Sequence, residues 1–353
     1  MSAVSGLFAL AVLAAAWWPK TGAMPSALVL GALVAGLALV LLAPRGRRGR
    51  VLVALGLWNA LLVAGLGLMG GESSPAFWLA VVAVWLGAWA LVERIAAARH
   101  RRLALLPPLV FGLTILWLWE TAVLALGVPR VILPAPSQIG ARLLAEVPTL
   151  AIDLMQTFGR GALSGFTIGC GAAFAMALVV DRVPFLRRGL LPVGNFLAAL
   201  PIIGTAPIFV MWFGFDWPSK AAVVVAMVFF PMLVNTVQGL AASERMQRDL
   251  MHTWSASWWQ SLRYLRLPAA MPFIFNGLKI CATLALIGAI VAEFFGSPTY
   301  GMGFRISTEV GRLQLDMVWA EIAVAAVLGS VFYGVWALIE SRVTFWHPSQ
   351  RGR

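Results

Sequence analysis

The sequence predicts an all-α polytopic membrane protein with about ten transmembrane helices. Hydrophobic residues make up 61% of its 353 residues and charged residues only 11%, with a mean hydropathy of +0.89. A soluble globular domain carries about 25% charged residues. The apolar residues are also gathered into runs of the length a bilayer demands, about 20 residues per crossing helix. Arginines, finally, cluster in alternate connections between those runs.

The runs lie at about 3–18, 24–43, 51–69, 76–92, 108–127, 158–180, 191–213, 219–240, 268–295 and 317–340. The first is short and ends in small residues before Trp17, as a cleaved leader would. It lacks a basic start and a second run follows at once, so it is read as a retained span. Arg45, Arg47, Arg48 and Arg50 fall in one connection, and Arg94, Arg99, Arg101 and Arg102 in another. Arg182, Arg187 and Arg188, then Arg245, Arg248, Arg263 and Arg266, continue the alternation. The positive-inside rule puts these connections, and with them both termini, in the cytoplasm. The formal net charge of +12 is thus an orientation device and calls for no nucleic acid partner.

Composition shifts near residue 107. The four spans before it are built of Ala, Leu, Val and Gly with a few tryptophans, which suits a lipid-facing extension over 1–106. Residues 107–346 form the expected functional core and 347–353 a cytoplasmic tail. In the external stretch 128–146, Pro134 and Pro136 force extended backbone, and Ser137 is placed to cap a helix running through Leu144. Pro192, Pro201 and Pro207 interrupt the span 191–213, and carbonyls freed by proline are tolerated only in protein or beside a wet cavity. With Asn195 and Thr205 nearby, this span is a pathway candidate, or a kinked packing helix. Asn235, Thr236 and Gln238 in the next span suit either a path lining or hydrogen bonds between helices. Glu293 sits near the outer end of an apolar span, as a gate, a cavity residue or an interfacial acid. Glycines 296, 301 and 303 after it suggest a flexible external turn.

Several chemistries are excluded. The chain has no G-x-x-x-x-G-K-[ST] phosphate loop, no HExxH, and no Ser/His/Asp set or paired acids within the spans. Cys170 and Cys281 lie inside apolar runs, and His100, His252 and His347 flank spans without metal-ligand spacing. No catalytic residue, metal site or cofactor is expected on this chain, and energy must come from a partner or an ion gradient. A proton-coupled carrier is the alternative, with Glu120, Glu293 or Glu321 as relay.

The stretch 249–268, DLMHTWSASWWQSLRYLRLP, is basic and amphipathic between two long apolar runs. Trp258, Trp259, Leu262 and Leu265 recur at helical spacing, with Gln260, Ser261, Arg263, Tyr264 and Arg266 opposite. Ser255 is placed to cap that helix, and Pro268 to stop it after Leu267. Alone, this describes an interfacial helix as well as a docking one.

The order of residues resembles the EAA loop of binding-protein-dependent ABC importer permeases. Asp249, Leu250 and Met251 stand for E-A-A, Ser255 for the glycine, Leu265 for the usual isoleucine, and Leu267-Pro268 close the motif. The runs VPRVILPAPSQIGARLLAE, LMQTFGRGALSGFTIGCGAA, LPVGNFLAALPIIGTAPIFVMWFGF and VAEFFGSPTYGMGFRI resemble the nitrate/sulfonate/taurine branch in the same order, over about 107–346. The resemblance implies an importer-type core of six helices, pairing as a homodimer in a bacterial inner membrane. It also implies two cytoplasmic ATPase subunits carrying ATP and Mg, an external solute-binding protein, and a small anion such as sulfonate, taurine or nitrate as cargo. The implied ATPase contact comprises Asp249, Ser255, Ala256, Ser257, Trp259, Leu262, Leu265, Leu267 and Pro268. The branch also carries uncharged vitamin precursors.

Overall fold

In a computed structural model, residues 32–36, 57–58, 61, 65, 74–97, 105–198, 202–296 and 299–347 are described. The chain is all-helical among these residues and groups into two compact units, 1–141 and 142–353. Six helices among the described residues are long and apolar enough to cross a bilayer. The expected span 3–18 lies outside the described residues, and those at 24–43 and 51–69 lie almost wholly outside them.

In the first unit, α1 (Pro75–Ala97) starts where Ser74 accepts a hydrogen bond from the Phe77 N–H at 3.2 Å, ahead of a proline whose missing N–H costs nothing in a first turn. Phe77, Val81, Val84, Ala88, Leu91 and Ile95 make one buried stripe, packed with Leu33, Leu57, Leu61 and Val110. The helix α2 (Leu106–Ala125) lies against α1 and also begins with proline. It ends on Gly127 at φ 60°, with the Gly127 N–H bonded to the Leu124 carbonyl and Val128 to Val123. That is a Schellman ending, which satisfies carbonyls a helix would otherwise leave bare.

Ser137 does not cap the following helix. The helix α3 (Pro136–Ala145) already includes it, and its N–H and hydroxyl both donate to Glu120 at 2.8 and 2.6 Å. The cap comes from a carboxylate on α2, suited to the positive end of a helix dipole.

In the second unit, α4 (Val147–Leu154) passes through a π-helical turn (Met155–Ala162) into α5 (Leu163–Arg182), a continuous helix of 36 residues. It therefore starts well before the expected 158. The expected span 191–213 is also corrected. It is two helices, α6 (Pro184–Ala198) and α7 (Ile202–Phe213), and the 12 residues of α7 reach about 18 Å, short of a bilayer core of about 30 Å.

The helix α8 (Trp217–Ala241) is the centre of this unit, packed by α5 and by α11 (Leu267–Gly296). Gly165 permits the crossing with α5, since a Cβ there would lie 2.8 Å from the Ala221 carbonyl and 2.5 Å from Val224. Close approach through small residues is how membrane helices gain packing contact where hydrophobic burial gives no advantage. Short helices α9 (Arg245–Thr253) and α10 (Trp258–Ser261) lie between α8 and α11. After α11 come α12 (Met302–Gly311) and α13 (Leu315–Val343), which is held to α11 by Lys279–Glu340 at 2.7 Å.

Candidate functional site

Opposite ends of α8 carry the two polar constructions of this unit: the 242–268 loop after its C-terminus, and a buried network beside its N-terminus.

The loop is built from local signals. Arg248 donates to the Ser243 carbonyl at 2.9 Å and the Ala241 carbonyl at 3.3 Å, a cation covering the free carbonyls where α8 ends. The helix α9 ends as α2 does: the Ser255 N–H bonds to the His252 carbonyl at 2.9 Å and the Ala256 N–H to the Met251 carbonyl at 3.0 Å. Ser255 itself sits at φ 53°. The expected cap is thus corrected: Ser255 closes α9 in the left-handed conformation that a glycine takes without strain. The cap of α10 is Ser257, whose hydroxyl accepts from the Gln260 N–H at 3.3 Å while the Gln260 side chain accepts from the Ser257 N–H at 2.7 Å. This reciprocal pair is a capping box.

Pro268 does not stop the helix. From Trp258 the chain runs 39 residues to Gly296 without a break, through a π-helical turn at Leu262–Arg266. An α-turn would drive the proline ring into the carbonyl four residues earlier, and the wider π turn just ahead of Pro268 relieves that clash.

Arg266 anchors this turn to the bundle. It bonds both carboxylate oxygens of Asp181 at the end of α5, one at 2.8 Å, and its Nε donates to the Leu240 carbonyl at 3.1 Å. Arg182 covers the Trp258 ring at 5.2 Å. Leu262 is buried in the core, so its side chain holds the loop in place and is withdrawn from the expected contact face. Asp249, Ser257 and Trp259 are exposed, as are Met246, Leu250, Trp254 and Tyr264, while Ala256, Leu265, Leu267 and Pro268 are half-buried.

At the other end of α8, Glu293 is buried. It accepts from the Thr157 hydroxyl at 2.8 Å and the Gly303 N–H at 2.9 Å, and Thr157 in turn accepts from the Met302 N–H at 2.8 Å. Asp153, fully buried, accepts from the Gly301 N–H at 2.7 Å and Arg305 Nε at 2.8 Å. Burial opposes the Arg305 charge, but the bond to Asp153 together with the negative charges of Asp153, Glu309 and Glu321 outweighs it, so its pKa lies above the ordinary arginine value. Of the glycine-rich turn expected to be flexible, the described residues 301–303 are held by these bonds. A Cβ on Gly301 would lie 2.5 Å from the Glu293 carboxylate, and one on Gly303 would overlap the Ile290 carbonyl.

The other expected pathway residues are dispersed. Asn235 accepts from Asn276 at 3.1 Å and donates to the Pro231 carbonyl at 2.8 Å, linking α8 to α11, and Gln238 is exposed. Thr205 and Pro207 lie half-buried on α7. Asn195 falls within α6 with its side chain outside the described residues, and Pro201 is outside them altogether. Asp153, Thr157 and Asp181 were not singled out in sequence, and Arg266 was read only as part of a basic cluster and of the polar face of the amphipathic helix. Their only signal is cost, since each puts a polar group in or beside an apolar run.

Residues 165–345, just over half of the chain, match the family described as binding-protein-dependent transport system inner membrane component. The chain belongs to that family. It is a multi-pass membrane permease component of ABC importers for small solutes, a family that works with ATPase and binding-protein partners. The permease is 30% identical over 249 residues to the formylaminopyrimidine transport permease protein ThiX of Halalkalibacterium halodurans, covering 69% of this chain and 97% of that one. It is 28% identical to the riboflavin transport system permease protein RibX of Chloroflexus aurantiacus, over 65% of this chain and 86% of the relative. With the taurine transport system permease protein TauC of Escherichia coli it shares 28% identity, over 65% and 85%. The matched stretch of the permease opens at Gly165, the α5–α8 crossing, and includes the 242–268 loop and Glu293.

Proposed function

We propose that this permease works as a homodimer that imports a small organic or inorganic anion by alternating access, driven by two cytoplasmic ATPase subunits. In this reading the ATPases bind ATP and Mg, a solute-binding protein delivers cargo outside, and both termini are cytoplasmic. Residues 107–346 act as the transport core, 1–106 as a four-span membrane extension and 347–353 as a tail. The cargo class is supported by relatives named for taurine and aliphatic sulfonate transport.

The observation that carries the reading is the build of the 242–268 loop. Its inner side is fixed to the bundle by Leu262 and the Arg266–Asp181 pair, while its outer side leaves Leu250, Trp254, Trp259 and Tyr264 exposed. A braced helix with a bare apolar edge transmits a push; a loose one absorbs it. Large apolar groups exposed together mark an interaction surface.

A double change of Leu250 and Trp259 to Asp tests this. The variant, reconstituted with its ATPase and binding-protein subunits, is expected to fold normally, lose ATPase co-purification and lose ATP-dependent uptake. Unchanged association and uptake would remove this face from the account. Uptake that follows a proton gradient without any ATPase would favour the carrier instead.

A further inference from the structure

Near the start of α13, Glu321 is fully buried, and neither of its carboxyl oxygens receives a hydrogen bond. The group within its hydrogen-bonding reach is another acid, Asp153 of α4, itself fully buried. A buried carboxylate with neither a donor nor a counter-charge of its own is among the costliest groups a fold can hold.

The helices packed on α13 are α4, α11 and α12, and their charges do not supply that counter-charge. From α4 comes Asp153. From α12 come Arg305, whose Nε donates to Asp153 at 2.8 Å, and Glu309, 4.0 Å from Arg305 and 3.2 Å from Arg312. Arg305 thus faces three acids, Asp153, Glu309 and Glu321, with a single charge. From α11 comes Glu293, a further acid, which accepts from Thr157 and Gly303. Lys279 of α11 is spent on Glu340, towards the other end of α13. On α13 itself, Asp316 accepts from the Met317 N–H at 2.9 Å.

Two carboxyl groups in contact do not both ionise; one keeps a proton and donates it to the other. Asp153 is the better anion, because its two oxygens already accept from the Gly301 N–H at 2.7 Å and from Arg305. Glu321 has no donor to support a charge, so the proton falls to it.

We propose that Glu321 and Asp153 form a proton-binding site, with Glu321 a neutral carboxylic acid whose O–H donates to Asp153. The bound proton ties α13 to α4, and Asp153 ties α4 in turn to the residues at 301–305. Parting these helices exposes Glu321 to water, where a glutamate ionises at neutral pH, so the movement gives off one proton. The joined arrangement is therefore favoured at low pH and loses that advantage as pH rises. The site belongs to the fold and stands whether or not the permease imports an anion.

Infrared spectroscopy of the full chain in phosphatidylcholine nanodiscs, in deuterium oxide at neutral pH, tests the site directly. A protonated carboxyl has a carbonyl band separate from the amide and carboxylate bands, and the spectrum of wild type minus Glu321→Gln should contain one. Glutamine is a neutral isostere whose amide can donate to Asp153, so this variant is expected to fold. Glu321→Asp, a second variant, keeps an acid on a shorter arm and should move the band. Loss of carboxylate bands in place of the carboxyl band, or a carboxyl band unmoved in Glu321→Asp, overturns the proposal. Release of the proton is read from hydrogen exchange at the Gly301 amide, which Asp153 holds. Corrected for the intrinsic rate, opening in wild type relative to Glu321→Gln should rise by about tenfold per pH unit. A ratio that does not change with pH overturns the release. Neither measurement needs an ATPase or a binding protein, so its outcome is independent of the import reading.

Discussion

Replacing Ser255 by glycine should stabilise the loop, against the usual expectation for adding glycine to a structured segment. Ser255 is the residue just past the end of α9, at φ 53°, with both Schellman hydrogen bonds formed around it. An L-residue in this conformation is strained by about 1–2 kcal/mol because its Cβ crowds the following carbonyl. Glycine removes that strain and gives back about 0.5–1 kcal/mol through its freer unfolded chain. The serine side chain is exposed, so little else is lost. The net gain is about 0.5–1 kcal/mol, or roughly a twofold to fivefold slowing of local opening. Hydrogen exchange at the Ser255 and Ala256 amides reads this directly, since both make the closing bonds. Ser255→Ala should be near neutral, and Ser255→Val should open the turn about tenfold faster, because a branched Cβ fits this region worst. If Ser255→Gly and Ser255→Ala both accelerate exchange, a hydroxyl bond holds the turn and the left-handed argument is wrong.

Three further outcomes follow from the packing. Asp181→Asn should cost about 3 kcal/mol, because Arg266 is then left mostly buried without its counter-charge; in a thermal denaturation series, Asp181→Asn with Arg266→Met should recover much of that loss, and strict additivity would deny the coupling. Gly165→Ala should lower stability by about 1–3 kcal/mol in the same assay, since its Cβ would fall 2.5 Å from Val224 at the α5–α8 crossing. Thr157→Val should release the 299–305 turn by removing the hydroxyl that joins Glu293 to the Met302 N–H, seen as faster proteolysis in that turn with the rest of the bundle intact.

The spans legible in sequence were those that behave as uniform apolar cylinders. Pro75–Ala97, Trp217–Ala241 and Leu315–Val343 all coincide with apolar runs to within a few residues. Hydropathy failed where backbone geometry, and not composition, sets the length. The run 191–213 is apolar enough to cross a membrane, yet its described residues fall in two short helices, with Pro192 inside the first and Pro207 inside the second. Pro268 misled in the opposite sense, because a π turn placed ahead of it lets a helix continue where the general rule stops one. The polar network was half legible. Glu293 stands out in any apolar run, but its partner Thr157 lies 136 residues away, Asp153 lies 148 residues from the Gly301 amide it holds, and no local pattern joins them.

Ser255 shows where a local rule had the answer and was applied one turn too early. A capping box requires Ser or Thr followed three residues later by Glu or Gln. Ser255 is followed by Trp258, whereas Ser257 is followed by Gln260, so the pattern itself selects the second serine. The first is left to turn into the left-handed region and end α9, at the position where the motif it resembles has a glycine. Leu313 meets the same demand at the end of α12, at φ 59°, with the Gln314 N–H bonded to the Glu309 carbonyl at 2.9 Å. A chain that closes a helix on leucine accepts local strain because the hydrogen bonds around it, and the packing of the helix it ends, outweigh about 1–2 kcal/mol. At the position of the motif's glycine, the left-handed turn is made here by Ser255, held by the hydrogen bonds that close α9.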